Sequence, residues 1–139
     1  MNSIATSQAA VHQSLAHCKT IAVVGLSPKP HRDSFRVAKY MQAHGFRIVP
    51  INPNASEVLG EKAYASLTEA AQHERIDMVN CFRNAEDIPP IAKEAIAIGA
   101  KSLWLQIGVA NHIAAKQATD AGLVVVQNRC LMVEHHQLG

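Results

Sequence analysis

Three junctions in this chain share one pattern. His44-Gly45-Phe46, Ile98-Gly99-Ala100 and Ala121-Gly122-Leu123 each join the end of a helical stretch to a short apolar run. Glycine at such a point takes the left-handed backbone that closes a helix. A helix, a glycine and a strand, repeated, is the rhythm of βα units. Such alternation predicts a mainly parallel sheet covered by helices on both faces. With right-handed crossovers, the expected fold is α/β: a Rossmann-like, doubly wound sheet of five parallel strands in the order 3-2-1-4-5.

The strands are expected at Ile21 to Val24, Phe46 to Ile51, Ile76 to Phe82, Ser102 to Gln106 and Leu123 to Gln127. A leading helix is read over Ser3 to His17, from Ile4, Val11 and Leu15 at helical spacing. Ser66-Leu67-Thr68-Glu69 matches a capping box and opens a short helix. Pro89 and Pro90 fit only the first turn of a helix, where an amide donor is not needed. Asn111 is expected to cap the next helix, and a last short helix runs toward Leu138. Residues 55–65 are ambiguous, with a turn at Leu59-Gly60 and an extended piece from Lys62 to Tyr64. At 139 residues, 48% of them apolar, the chain suffices for one domain over residues 1–139 with a core of Val, Ile, Leu and Ala.

The formal charge of +2 and the lack of a dense basic run argue against a nucleic-acid partner. No apolar run approaches the roughly 18 residues of a membrane span. No basic stretch followed by an apolar one opens the chain, so no secretory signal is expected. Cys18, Cys81 and Cys130 are odd in number and widely spaced, which fits a reducing, cytoplasmic setting better than a disulfide framework. The eight histidines show no metal-binding spacing, and adjacent His135 and His136 point apart on a helix, so no metal site is expected. Glu134 beside them is expected on the surface, and Trp104 in the core.

The first turn, Thr20 to Ser34, carries the chemistry. A buried strand ends at Gly25, a loop with Ser27, Lys29, His31 and Arg32 follows, and Asp33 or Ser34 is placed to cap the next helix. A strand, a glycine turn and a helix start form an anion site, because backbone amides point outward and the helix dipole favours negative charge. In a doubly wound sheet the ligand lies at the carboxyl ends of the strands. The residues just beyond those ends are Asn52 and Pro53, Arg83, Gln106 and Gly108, and Asn128, Arg129 and Cys130. This rim is polar and basic, with no carboxylate beside the turn except Asp33. The turn keeps only the first glycine of a dinucleotide fingerprint, and Asn52 stands where an acid would bind the ribose of NAD. A ligand with a phosphate on its ribose is thereby allowed, either NADP or coenzyme A (CoA).

Five motifs now occur in order: Val-Val-Gly-Leu-Ser-Pro-Lys-Pro-His-Arg-Asp-Ser (23–34), Pro-Ile-Asn-Pro (50–53), Cys-Phe-Arg (81–83), Leu-Trp-Leu-Gln-Ile-Gly (103–108) and Asn-Arg-Cys-Leu (128–131). Across about residues 18–136 they resemble the stand-alone CoA-binding-domain family and the N-terminal domain of the succinyl-CoA synthetase α subunit. The resemblance implies CoA or acyl-CoA held across the strand ends. Gly25, Ser27 and Ser34 would meet the pyrophosphate, with Lys29 and Arg32 supplying charge. Asn52 and Pro53 would line the adenosine side, and Phe82, Arg83, Gln106 and Gly108 would border the cleft. The synthetase's second domain and its phosphorylated histidine are not matched, which removes any case for ligase chemistry.

Several readings stay open at this level. Arg83 either borders the cleft or pairs with Glu86. Cys130 is either a rim thiol activated by Arg129 or a small buried apolar side chain. No Ser-His-Asp arrangement is legible, so no catalytic residue is assigned. The function expected is a non-catalytic CoA sensor or carrier, with an NADP-dependent oxidoreductase or a ligand-free interaction subunit as the alternatives.

Overall fold

The computed structural model describes residues 3–138, with side chains from Gln8 onward. Helix α1 (Ser3–His17) leads into β1 (Thr20–Val24), α2 (Asp33–Ala43) and β2 (Arg47–Ile51). A hairpin of β3 (Glu57–Val58) and β4 (Glu61–Lys62) precedes α3 (Leu67–Ala71) and β5 (Met78–Cys81). A 3-10 turn at Ala85–Asp87 then feeds α4 (Ile88–Ala97), β6 (Ser102–Leu105), α5 (His112–Asp120), β7 (Val124–Val126) and α6 (Leu131–Leu138).

The main sheet is parallel and runs β2-β1-β5-β6-β7. Outside β2, Tyr64 makes a single parallel bridge to Ile51, backed by Asn52 N–H to Tyr64 O at 2.9 Å. Counting that piece as the third strand, the order along the sheet opens 3-2-1-4-5. The segment expected as strand three, at Met78–Cys81, therefore lies next to β1 in fourth place. The third place is reduced to one bridged residue because residues 57–62 fold back on themselves around Leu59 (φ 55°) and Gly60. This is a Rossmann-like α/β fold.

Successive strand residues point to opposite faces, and each face builds its own core. Ile21, Val23, Ile48, Met78 and Trp104 pack under α1, α2 and α6. Ala22, Val24, Val79, Leu103 and Leu105 pack under α3, α4 and α5. Small Ala92, Ala95, Ala114 and Ala118 let α4 and α5 approach the sheet closely. Trp104 is fully buried, and its Nε1–H donates to Arg129 O at 2.8 Å, so the expected core tryptophan also pins the start of α6.

The helix ends follow the expected punctuation with two exceptions. Ser66 Oγ accepts the Glu69 amide at 3.2 Å, and Asn111 Oδ1 accepts the Ala114 amide at 3.0 Å. The Glu69 carboxylate reaches back to the Ala65 amide at 3.4 Å, one residue beyond a standard capping box. Helix α2 is the second exception: its N-cap is Arg32, and among the described residues no side chain caps it. Neither Asp33 nor Ser34 takes that place. Asp33 pairs with Arg36, one turn along, and Ser34 turns inward to the loop.

Candidate functional site at the first turn

The end of β1 is held from both sides. The Gly25 amide donates to Ile51 O at 3.0 Å, and the Phe82 amide to Val24 O at 2.9 Å. Gly25 has φ +85°, and a Cβ there would stand 2.7 Å from Phe82 O and 3.1 Å from the Arg83 Cδ. Only glycine fits, for conformation and for space. Beyond it the loop closes on itself. Ser27 N–H donates to Ser34 Oγ at 3.0 Å, Lys29 N–H to Ser27 Oγ at 3.1 Å, and Asn52 Nδ2 to Leu26 O at 2.9 Å. Asn52 thus joins the first loop to the end of β2, and its own Oδ1 accepts the Asn54 amide at 2.8 Å.

Two clefts open on either side of Gly25. The first, of about 410 Å³, is lined by Gly25, Ser27, Arg32, Asp33, Ser34 and Phe82. It faces the start of α2, where the absence of a side-chain cap leaves the first-turn amides that every helix start exposes. The dipole of this 11-residue helix adds partial positive charge at the same point. The second cleft, of about 490 Å³, runs from Gly25 past Asn52 and Pro53 to Arg83, Pro90 and Ile91. Here the rim departs from the basic one expected, because Glu86, Asp87 and Glu94 also line it. They arrive on the turn after β5 and on α4. The Arg83-to-Asp87 spacing was the available signal, since ion pairs form at i,i+4.

Of the expected site residues, Gly25, Ser27, Arg32, Ser34 and Phe82 converge on the first cleft, and Asn52, Pro53 and Arg83 on the second. Arg83 is exposed and pairs with Asp87 at 3.3 Å instead of Glu86. Lys29 is exposed on the loop and lines neither cleft. The β6 and β7 ends form a separate, internally bonded group. Gln106 is buried, and its Oε1 accepts from Leu131 N–H at 3.0 Å and Asn80 Nδ2 at 3.2 Å. Its carboxamide is turned into the protein, where it caps α6. Gly108 N–H donates to Asn128 Oδ1 at 2.6 Å, with Asn128 at φ 58°. Arg129 faces Glu134 at 3.6 Å, and Glu134 is largely covered, not the surface residue expected. Cys130 is half-buried against the α6-side core.

The first turn of this Rossmann-like sheet thus brings together a glycine, two serines, an arginine and a helix start, where the helix dipole favours negative charge. The chain belongs to the CoA binding domain family, whose model matches residues 19–136. It is 40% identical over 129 residues to the Bacillus subtilis protein YneT, covering 93% of this chain and 94% of that one. A Pyrococcus horikoshii protein of known structure is 41% identical, with a TM-score of 0.87 over 93% of this chain and 90% of that one. The ADP-forming acetate–CoA ligase II of Archaeoglobus fulgidus is 29% identical over 89 residues, 63% of this chain but only 13% of that enzyme.

Proposed function

We propose that this protein binds coenzyme A or an acyl-CoA across the two clefts and acts as a sensor or carrier of it, without chemistry of its own. The observation that carries the reading is the turn from Gly25 to Ser34. There a positive-φ glycine, the Ser27–Ser34 bond and the uncapped start of α2 surround one small cleft with Arg32 at its edge. Such a cradle suits a pyrophosphate, which takes backbone amides and a cation together. The adenosine extends into the second cleft, toward Asn52, Pro53 and the apolar faces of Pro90 and Ile91. The pantetheine arm runs the other way, past Phe82 toward the ends of β6 and β7, where Gly108, Asn128, Arg129 and Cys130 lie.

The non-catalytic part of the reading rests on the lining. Among the described residues neither cleft is lined by a histidine or a cysteine, and in the first the hydroxyls of Ser27 and Ser34 each accept a backbone amide while Asp33, the carboxylate there, is held by Arg36. A general base beside a free nucleophile is the arrangement that acyl transfer needs. Among the described residues no helix is long and apolar enough to cross a membrane, and no group of three His, Cys, Asp or Glu is placed to hold a metal. Native mass spectrometry of the purified protein tests the reading. A retained or added ligand with the mass of CoA or an acyl-CoA is the expected result. A protein that holds no such ligand, even with CoA added, overturns it.

A further inference from the structure

The second cleft has an unusual charge balance. Among the described residues its ionisable lining is Glu86, Asp87 and Glu94 against a single cation, Arg83. The Glu94 Oε2 accepts the Thr68 amide at 3.0 Å and the Thr68 hydroxyl at 2.8 Å, so this carboxylate is fixed and faces the start of α3. Asp87 holds Arg83 through one contact at 3.3 Å, with the two side chains 36% and 48% exposed. An exposed single-contact pair of this kind is weak and easily exchanged.

Resting on the CoA reading, we propose that Arg83 is the residue that recognises the phosphate on the ligand's ribose, and that it leaves Asp87 to do so. In sheets of this topology the ribose lies at the end of the second strand, which here is Asn52 to Asn54 beside the second cleft. A phosphomonoester entering that cleft meets three carboxylates. Arg83 is the one group there that offsets their repulsion. Its stem is placed for this, because the Arg83 Cδ lies beside Gly25, 3.1 Å from where a Cβ there would stand. The guanidinium therefore pivots from a point between the two clefts. A planar guanidinium binds a phosphate through two parallel hydrogen bonds, a geometry its single contact with Asp87 does not supply. Released, the Asp87 carboxylate turns to solvent, where it already has access.

Calorimetric titration with CoA and with dephospho-CoA, which lacks only the 3′-phosphate, tests this on wild type, Arg83→Gln and Asp87→Asn. Wild type is expected to prefer CoA. Arg83→Gln should lose roughly 10- to 100-fold in CoA affinity, the size of a charge-assisted contact, and almost none for dephospho-CoA. Asp87→Asn should tighten CoA by roughly two- to fivefold, by freeing the arginine from a weak pair. An equal loss for both ligands in Arg83→Gln, or no preference in wild type, overturns the role of Arg83 while leaving CoA binding in place. No gain in Asp87→Asn contradicts the exchange. If wild type binds neither ligand, the CoA reading falls and this inference with it.

Discussion

The buried Ser34 hydroxyl accepts the Ser27 amide at 3.0 Å across the mouth of the first turn. This bond ties the start of α2 to the residue that follows Leu26, beside the first cleft. Ser34 lies inside the helix, one residue past its first, so it is not placed to cap it and its hydroxyl is left for the loop.

Ser34→Ala is expected to lower stability by about 1 kcal/mol, the net worth of one such bond, and to weaken CoA by loosening the cradle. Urea denaturation and a CoA titration check both. Unchanged binding with lowered stability would separate the bond from the ligand site.

Gly25→Ala should cost more than a change of cleft shape. Its φ of +85° alone costs an L-residue about 1–2 kcal/mol, and the contact with Phe82 O adds to it. Gly45→Ala is the control, with φ +92° and nothing within 4 Å of the added carbon. It should show the backbone cost alone and leave CoA affinity untouched. Equal destabilisation by the two changes would contradict the close approach at Gly25.

The three cysteines should divide by burial. Burial pushes the Cys81 thiol up to about 12. Burial, with Asp77 nearby, pushes Cys18 up to about 11. Thiolate is the reactive form, so at pH 8 a disulfide reagent should label half-buried Cys130 in the folded protein and neither of the others. Intact-mass analysis of wild type and Cys130→Ser reads this directly. Labelling that persists in Cys130→Ser would contradict it.

Asp77 sets an acid limit on stability. Burial is the largest single effect and opposes its charge, but the amides of Lys19 and Thr20, at 2.9 and 3.1 Å, together with the Lys101 and Arg75 charges, hold the carboxyl below its ordinary value of 3.8. Such a group stabilises fully above that ordinary value, and its contribution is lost as the pH falls through the lower, folded value. Asp77→Ala is expected to cost about 1.5–3 kcal/mol at pH 7, with the gap to wild type closing in strong acid. A gap independent of pH would assign the loss to packing.

Much of this was legible in the chain because local chemistry decided it. Gly45, Gly99 and Gly122 close helices, Pro89 and Pro90 open one, and Asn111 caps another, each for reasons internal to a few residues. What was not legible depended on tertiary partners. Gln106 follows a strand end, as a ligand contact would, yet the unpaired amide of Leu131 draws it inward. Glu134 looked free until α6 docked and brought it to Arg129. The carboxylates of the second cleft lie on two elements distant in sequence from β2, so neither their approach nor the role of Tyr64 as a one-residue third strand could be read from spacing.

If the first turn and its two clefts form a CoA site, they should discriminate CoA from other nucleotides. Isothermal titration of the wild-type protein with CoA and with NAD tests it most directly. Saturable binding of CoA at one site per chain is expected, tighter than NAD by at least about tenfold, or 1.4 kcal/mol. Equal affinity for the two ligands, or no binding of CoA, would contradict it.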